Sequence, residues 1–230
     1  MCIRDRLSLS DCTAMFNLAA SSGARTWPET LGWDLDQSPC TWEGVTCEAG
    51  EVVAFRVRNQ GLTGRLPLEI SELTNLQVLA LDRNQLTGPL HPEIGELTNL
   101  FELDLFGNSL TSEIPTEIGN LTQLEHLDLG GNRFSGEIPP VICNLTRLRV
   151  LSFLDNQLQG EIPPELGNLT ELRDLFFAYN RLTGEVPDEL GNLTLLSRLL
   201  LNETGLAGTL PGELAQTTTL DIEGTGITLG

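Results

Sequence analysis

Leu97-Thr98-Asn99-Leu100-Phe101-Glu102-Leu103-Asp104-Leu105-Phe106-Gly107-Asn108-Ser109-Leu110-Thr111-Ser112-Glu113-Ile114-Pro115-Thr116-Glu117-Ile118-Gly119-Asn120 matches the chain on either side of it when shifted by 24 residues. Leu79, Leu103, Leu127, Leu151, Leu175 and Leu199 share one position of that period. Two residues on stand Leu81, Leu105, Leu129, Phe153, Phe177 and Leu201, and three further on Asn84, Asn108, Asn132, Asn156 and Asn180, closed by Thr204. A fixed period of this size means stacked copies of one small unit, each burying its apolar face only against its neighbours. The last unit, centred on Thr225, follows after 21 residues rather than 24.

Composition excludes several classes of function. The formal charge of −19 over 230 residues argues against nucleic acid and anionic membrane surfaces as direct partners. No run approaches the length of a membrane-spanning helix, and no uninterrupted apolar stretch follows the charged Met1–Arg6 segment as a secretory signal would require. Residues 1–6 resemble the translation of a sequencing-adaptor read and are set apart from the fold. The chain is therefore expected to be a fragment at both ends, with a signal peptide missing at the start and the repeats truncated at the finish. Membrane anchoring in a full-length protein stays open.

The spacing L-x-x-L-x-L-x-x-N-x-L is that of a leucine-rich repeat. The segments Leu110-Thr111-Ser112-Glu113-Ile114-Pro115, Phe134-Ser135-Gly136-Glu137-Ile138-Pro139 and Leu182-Thr183-Gly184-Glu185-Val186-Pro187 follow the L-T-G-x-I-P pattern of the plant-type subclass. Cys40-Thr41-Trp42-Glu43-Gly44-Val45-Thr46-Cys47 resembles that subclass's N-terminal cap. Such proteins include receptor-like-kinase ectodomains, polygalacturonase-inhibitor-like proteins and algal relatives. The resemblance implies an α/β solenoid, a right-handed superhelix with a parallel β-sheet on its concave face. Residues 7–50 would form a helical cap and residues 51–230 about seven to eight coils. It also implies a Cys40–Cys47 disulfide, hence an oxidising, extracellular or cell-surface location. Cys12 is left open between a stray thiol and a pairing with something missing from this sequence, and Cys143 reads as a buried free thiol. Within the cap, a helix is expected over about Leu7–Ala24, and Trp33 and Trp42 should cover the open end of the apolar column. The glycine of L-T-G is assigned to a tight bend and the proline to the end of local pairing.

The asparagine column reads as structural, because a buried amide can satisfy turn backbone in its own and the adjacent coil. Function is sought on the concave face, where residues between and beside the inward leucines point outward. Leu154, Phe176, Tyr179 and Leu200 fall on adjacent coils there and should form an exposed apolar patch, with Arg181 at its edge and Phe106 on the same face. Asn202-Glu203-Thr204 is a glycosylation sequon that would crowd this patch; further sequons lie at Asn120, Asn144, Asn168 and Asn192. The ladders Glu69, Glu93, Glu117, Glu165, Glu189, Glu213 and Glu113, Glu137, Glu161, Glu185 read as a solvated outer face.

These features point to a recognition module for a protein, peptide or glycan ligand, as in a receptor-like ectodomain. The alternatives are a secreted inhibitor of wall-degrading enzymes and a structural or ice-binding surface protein, the latter disfavoured by irregular columns. No kinase signature occurs. Catalysis is not expected: His126 has Asp104 and Asp128 as neighbours but no credible nucleophile. No metal cluster, and so no metal or other cofactor, is expected either.

Overall fold

The computed structural model describes residues 7–20 and 26–229, so the readings for residues 1–6 and for 21–24 as the end of the cap helix lie outside it. Helix α1 (Leu9–Ala20) starts where Ser8 Oγ accepts the Asp11 amide at 3.1 Å. It buries Cys12, Met15 and Leu18, one apolar residue per turn. Asp11 is buried in the same interface, and its Oδ2 accepts from the Val52 amide at 2.5 Å, tying α1 to the first repeat strand.

The remainder of the cap closes the apolar column with aromatic rings. Trp33 stacks on Trp42 at 4.6 Å and leans on Phe55 of the first coil at 5.8 Å. Each buried indole also finds an acceptor, Trp27 on Thr63 O, Trp33 on Glu43 O and Trp42 on Asp34 O. Cys40 and Cys47 form the expected disulfide. Cys12 is disulfide-bonded within the chain as well, so it is neither a stray thiol nor dependent on a missing partner, while Cys143 is a buried free thiol. The cap's last strand, Val45–Glu48, pairs antiparallel with Glu51–Arg56, so the solenoid begins on a hairpin.

From Glu51–Arg56 onward the coils add parallel strands in strict sequence order: Val78–Ala80, Glu102–Asp104, His126–Asp128, Val150–Ser152, Asp174–Phe176, Arg198–Leu200 and Thr219–Asp221. Register advances by one period per strand, with Asp104 beside Asp128, Ser152 beside Phe176 and Phe176 beside Leu200. The leucines of both inward positions are fully buried from Leu79 to Leu201, and Phe153 stacks on Phe177 at 5.6 Å.

Two features differ from expectation. The segment after each asparagine, and after Gln60, Thr204 and Thr225 where these take its place, forms a strand of its own, and the eight strands build a second parallel sheet on the flank. The glycine of L-T-G lies inside that sheet rather than at a bend. Gly184, for example, has φ 86°, and a Cβ there would stand 2.9 Å from Glu161 Cγ, so the glutamate stem of one coil lies flat across the glycine of the next. Among the described residues the repeats hold no α-helix either. Five-residue 3-10 turns such as Thr116–Asn120 and Pro164–Asn168 take that place, since so short a span cannot offset the cost of nucleating an α-helix.

The asparagine amides knit successive coils together. Asn132 Oδ1 accepts the Leu110 amide of the preceding coil at 2.9 Å. Its Nδ2 donates to Leu105 O at 3.0 Å and to Leu129 O at 3.1 Å, one carbonyl in each coil. Asn84, Asn108, Asn156 and Asn180 repeat the arrangement. Thr204 is too short to reach back, and its hydroxyl donates only to Leu201 O of its own coil.

Candidate functional site

Four positions per coil present side chains to the concave face, and the parallel register sets equivalent residues side by side. The central row runs Asp104, Asp128, Ser152, Phe176, Leu200, one residue from each successive strand. Strand spacing makes each step about 4.8 Å. Between Asp104 and Leu200 the chemistry changes from carboxylate through hydroxyl to apolar, with Ala80 before Asp104 and a further carboxylate, Asp221, beside Leu200.

At the apolar end Leu154, Phe176 and Leu200 are half-buried, not fully exposed. Tyr179 is the exposed member at 53%. Its backbone is left-handed, φ 55°, as it is at the same position of the other coils, in Asn59, Arg83, Asp155 and Glu203 as well as in Gly107, Gly131 and Gly224. The left-handed backbone thus belongs to the repeat, and what sets Tyr179 apart is its exposed ring. Phe106 lies on the acidic side of the patch. Its ring lies near Gly131, where a Cβ would stand at ordinary contact distance, 3.4 Å, from Phe106 Cε2.

Two expectations about the patch need correction. Arg181 opens the strand Arg181–Glu185 of the flanking sheet, so it does not edge the concave patch as a neighbour of Phe176. The cation on the patch is Arg198, whose guanidinium lies 5.0 Å from the Phe176 ring centroid while its Nε donates to Asp174 Oδ1 at 2.6 Å. Sequence reading passed over Arg198 although side-chain alternation puts it on the same face as Leu200; its contact with Phe176 in the neighbouring coil is what the strand register supplies. The second correction concerns the sequon at Asn202. Its residue is buried, 7% exposed, and Thr204 equally so, leaving no space for a glycan in the folded protein. Asn120, Asn144, Asn168 and Asn192 are exposed at the ends of their 3-10 turns.

At the other end Arg58 bridges three coils, with Nε 2.8 Å from Asp82 and Nη2 2.6 Å from Glu102, reaching Asp104 only at 3.5 Å. Burial pushes the Asp104 carboxyl up to about 6; its acceptance of the Phe106 amide opposes this, and the neighbouring Asp82 and Asp128 add to it. Burial likewise raises Asp128, against hydrogen bonds from Gly130 and Ser152. Ser152 is the hydroxyl nearest His126 and Asp128 that sequence reading overlooked. At 1% exposure it is out of reach of any substrate, so the group is no catalytic triad. No group of three or more His, Cys, Asp or Glu among the described residues has the geometry of a metal site.

Comparison with known proteins gives these features a context. A family model described as leucine-rich repeat region matches residues 70–205, and one described as leucine rich repeat N-terminal domain matches residues 6–48. The probable inactive receptor kinase RLK902 of Arabidopsis thaliana is 39% identical over 77 residues, 33% of this chain and 11% of its own length. Receptor protein kinase WSS1 of Oryza sativa subsp. japonica is 42% identical over 80 residues, 34% of this chain and 8% of its own length. The match thus spans about a tenth of these curated relatives. Among solved structures, the Arabidopsis HAESA ectodomain in complex with an extended IDA peptide hormone ligand superposes with a TM-score of 0.80 at 30% identity, covering 95% of this chain and 41% of that one. A plant ice-binding protein superposes with a TM-score of 0.78 at 25% identity, covering 96% of this chain and 88% of that one.

Proposed function

Since the chain belongs to the leucine-rich-repeat family, we propose that it is a non-catalytic recognition module whose concave face captures a peptide or protein ligand, as part of an extracellular or cell-surface receptor. The observation that carries this reading is the apolar cluster on the concave face: half-buried Phe176 and Leu200 side by side, with Tyr179 exposed three residues after Phe176. Receptor-kinase relatives and the peptide-bound ectodomain among the structural neighbours support the class of ligand and the location. The disulfide of the cap is consistent with an oxidising compartment.

The test is to pan a phage-displayed library of random dodecapeptides on the immobilised chain and on a Phe176→Ala/Tyr179→Gly variant. Glycine suits the backbone at that position, so the variant should melt no lower at the Tyr179 site while enrichment of the selected peptides falls by about tenfold or more. Equal enrichment on both proteins would sink the patch as the binding site.

A second reading, an ice-binding surface, is favoured by the close match in length to the plant ice-binding protein. Its natural platform would be the flanking sheet with Thr87, Thr111 and Thr183. The register there sets Thr111 beside Arg133 and Gln159 beside Arg181, which breaks any flat threonine array with charge. Thermal hysteresis in a freezing assay would revive this reading.

A further inference from the structure

Arg198 shows how this chain pairs a cation with an aromatic ring on the concave face. Its guanidinium lies 5.0 Å from the Phe176 ring centroid, and Asp174 accepts from its Nε at 2.6 Å. Ring, carboxylate and cation come from two neighbouring coils, where the register sets Asp174 beside Arg198.

A second ring stands nearby with carboxylates on both sides and no cation. Asp155, Tyr179 and Glu203 occupy one position of three successive coils. Backbone hydrogen bonds fix their order: the Asp155 amide donates to Ala178 O at 2.9 Å and the Tyr179 amide to Asn202 O at 3.0 Å. Their φ angles are 51°, 55° and 54°, so the three side chains leave the coils in the same way, about 4.8 Å apart. All three are exposed, and the row falls to glycine on either side, at Gly107 and Gly131 before it and at Gly224 after it. The Glu203 carboxylate rests over Gly224, where a Cβ would stand 2.9 Å from its Oε1, so it leaves the Tyr179 ring uncovered. Among the described residues neither Asp155 nor Glu203 is in an ion pair, and Arg181, two residues after Tyr179, pairs with neither.

We propose that Tyr179 receives the guanidinium of an arginine from a peptide or protein ligand, stacked on the ring with the Asp155 and Glu203 carboxylates on its two sides. This rests on the reading of the concave patch as a ligand-binding surface and adds the chemistry of one contact. Charge complementarity argues for that occupant. The ring face attracts a planar cation, the fork of guanidinium donors suits carboxylate acceptors, and an acidic side chain there would meet two like charges. Arg198 does not fill the place, because Asp174 and Phe176 already hold it. The net charge of −19 draws basic ligands toward the chain as a whole, so the test must separate this contact from diffuse attraction.

The probes are the dodecapeptides enriched on the wild-type chain in the panning above, resynthesised with fluorescein and titrated by fluorescence anisotropy. Arginine should be over-represented in them relative to the unselected library. Replacing that arginine with citrulline, which keeps its shape and removes its charge, should weaken binding about tenfold, with lysine falling between the two. Asp155→Asn/Glu203→Gln should cost about the same factor. Glu137→Gln/Glu185→Gln, which removes equal charge from the flanking sheet, should change binding less than about twofold. Equal losses in the two double variants, or enriched peptides that lack arginine yet still need Phe176 and Tyr179, would overturn the inference while the apolar patch stands. If no peptide is enriched on the wild-type chain, the inference and the peptide reading fall together.

Discussion

Asn132 accepts one amide from the preceding coil and donates to a carbonyl in each of two coils, with its side chain buried between them. Removing the side chain strands a buried N–H and weakens two carbonyls at once, and the cost of an unmet buried group exceeds the worth of an average hydrogen bond. Asn132→Ala should therefore lower stability by about 3 kcal/mol in urea, with an unchanged denaturant slope. Thr204→Ala should cost only about 1 kcal/mol, because that hydroxyl donates only within its own coil. Equal losses at the two positions would refute the distinction. The hydrogen-bonding capacity of the column was legible from residue type and period. The burial of Asn202 was not, since its sequon spells the same whether the residue faces solvent or the sheet.

Among the elements, the cap is the one whose failure propagates, because it shields the first coil and every other coil is shielded by its neighbour. The Cys40–Cys47 bridge closes a loop with a sequence separation of 7. Chain-entropy arguments for a loop of that size give about 2.5 kcal/mol. Cys40→Ala/Cys47→Ala should thus lower the melting temperature by several degrees, about what that loss of stability implies for a domain of this size. Paired substitution is cleaner than a reductant, which would also attack the disulfide at Cys12. An unshifted melt would mean that the stacked Trp33 and Trp42 hold the cap unaided. The motif around the two cysteines made the cap readable. The antiparallel hairpin and the flanking sheet were not, because no apolar alternation longer than three to five residues marks their strands.

Taken as a whole, the solenoid places like charges in rows. Asp104 has its carboxyl raised from 3.8 to about 6, chiefly by burial under the stacked coils. A raised carboxyl binds its proton more tightly when folded than when unfolded. Its contribution to stability is therefore greatest below 3.8 and is lost as pH rises through about 6. The net charge of −19 at neutral pH acts in the same direction. The melting temperature should rise on acidifying from pH 7 to pH 5, and Asp104→Asn should flatten that rise while raising the melt at pH 7. A variant with the full pH dependence would place the effect elsewhere on the acidic surface.

The sequence by itself determined the period, the buried leucine and asparagine columns, the cap motif and the set of residues available to the concave face. Each of these follows from a repeat whose side-chain directions are dictated by short-range backbone geometry. Only the tertiary structure decided which concave residues become neighbours: Arg198 over Phe176, Asp104 beside Asp128, Arg181 turned to the flank. Those pairings depend on strand register and on where each coil bends. Both are fixed by packing between coils about one period apart, not by the residues adjacent in the chain.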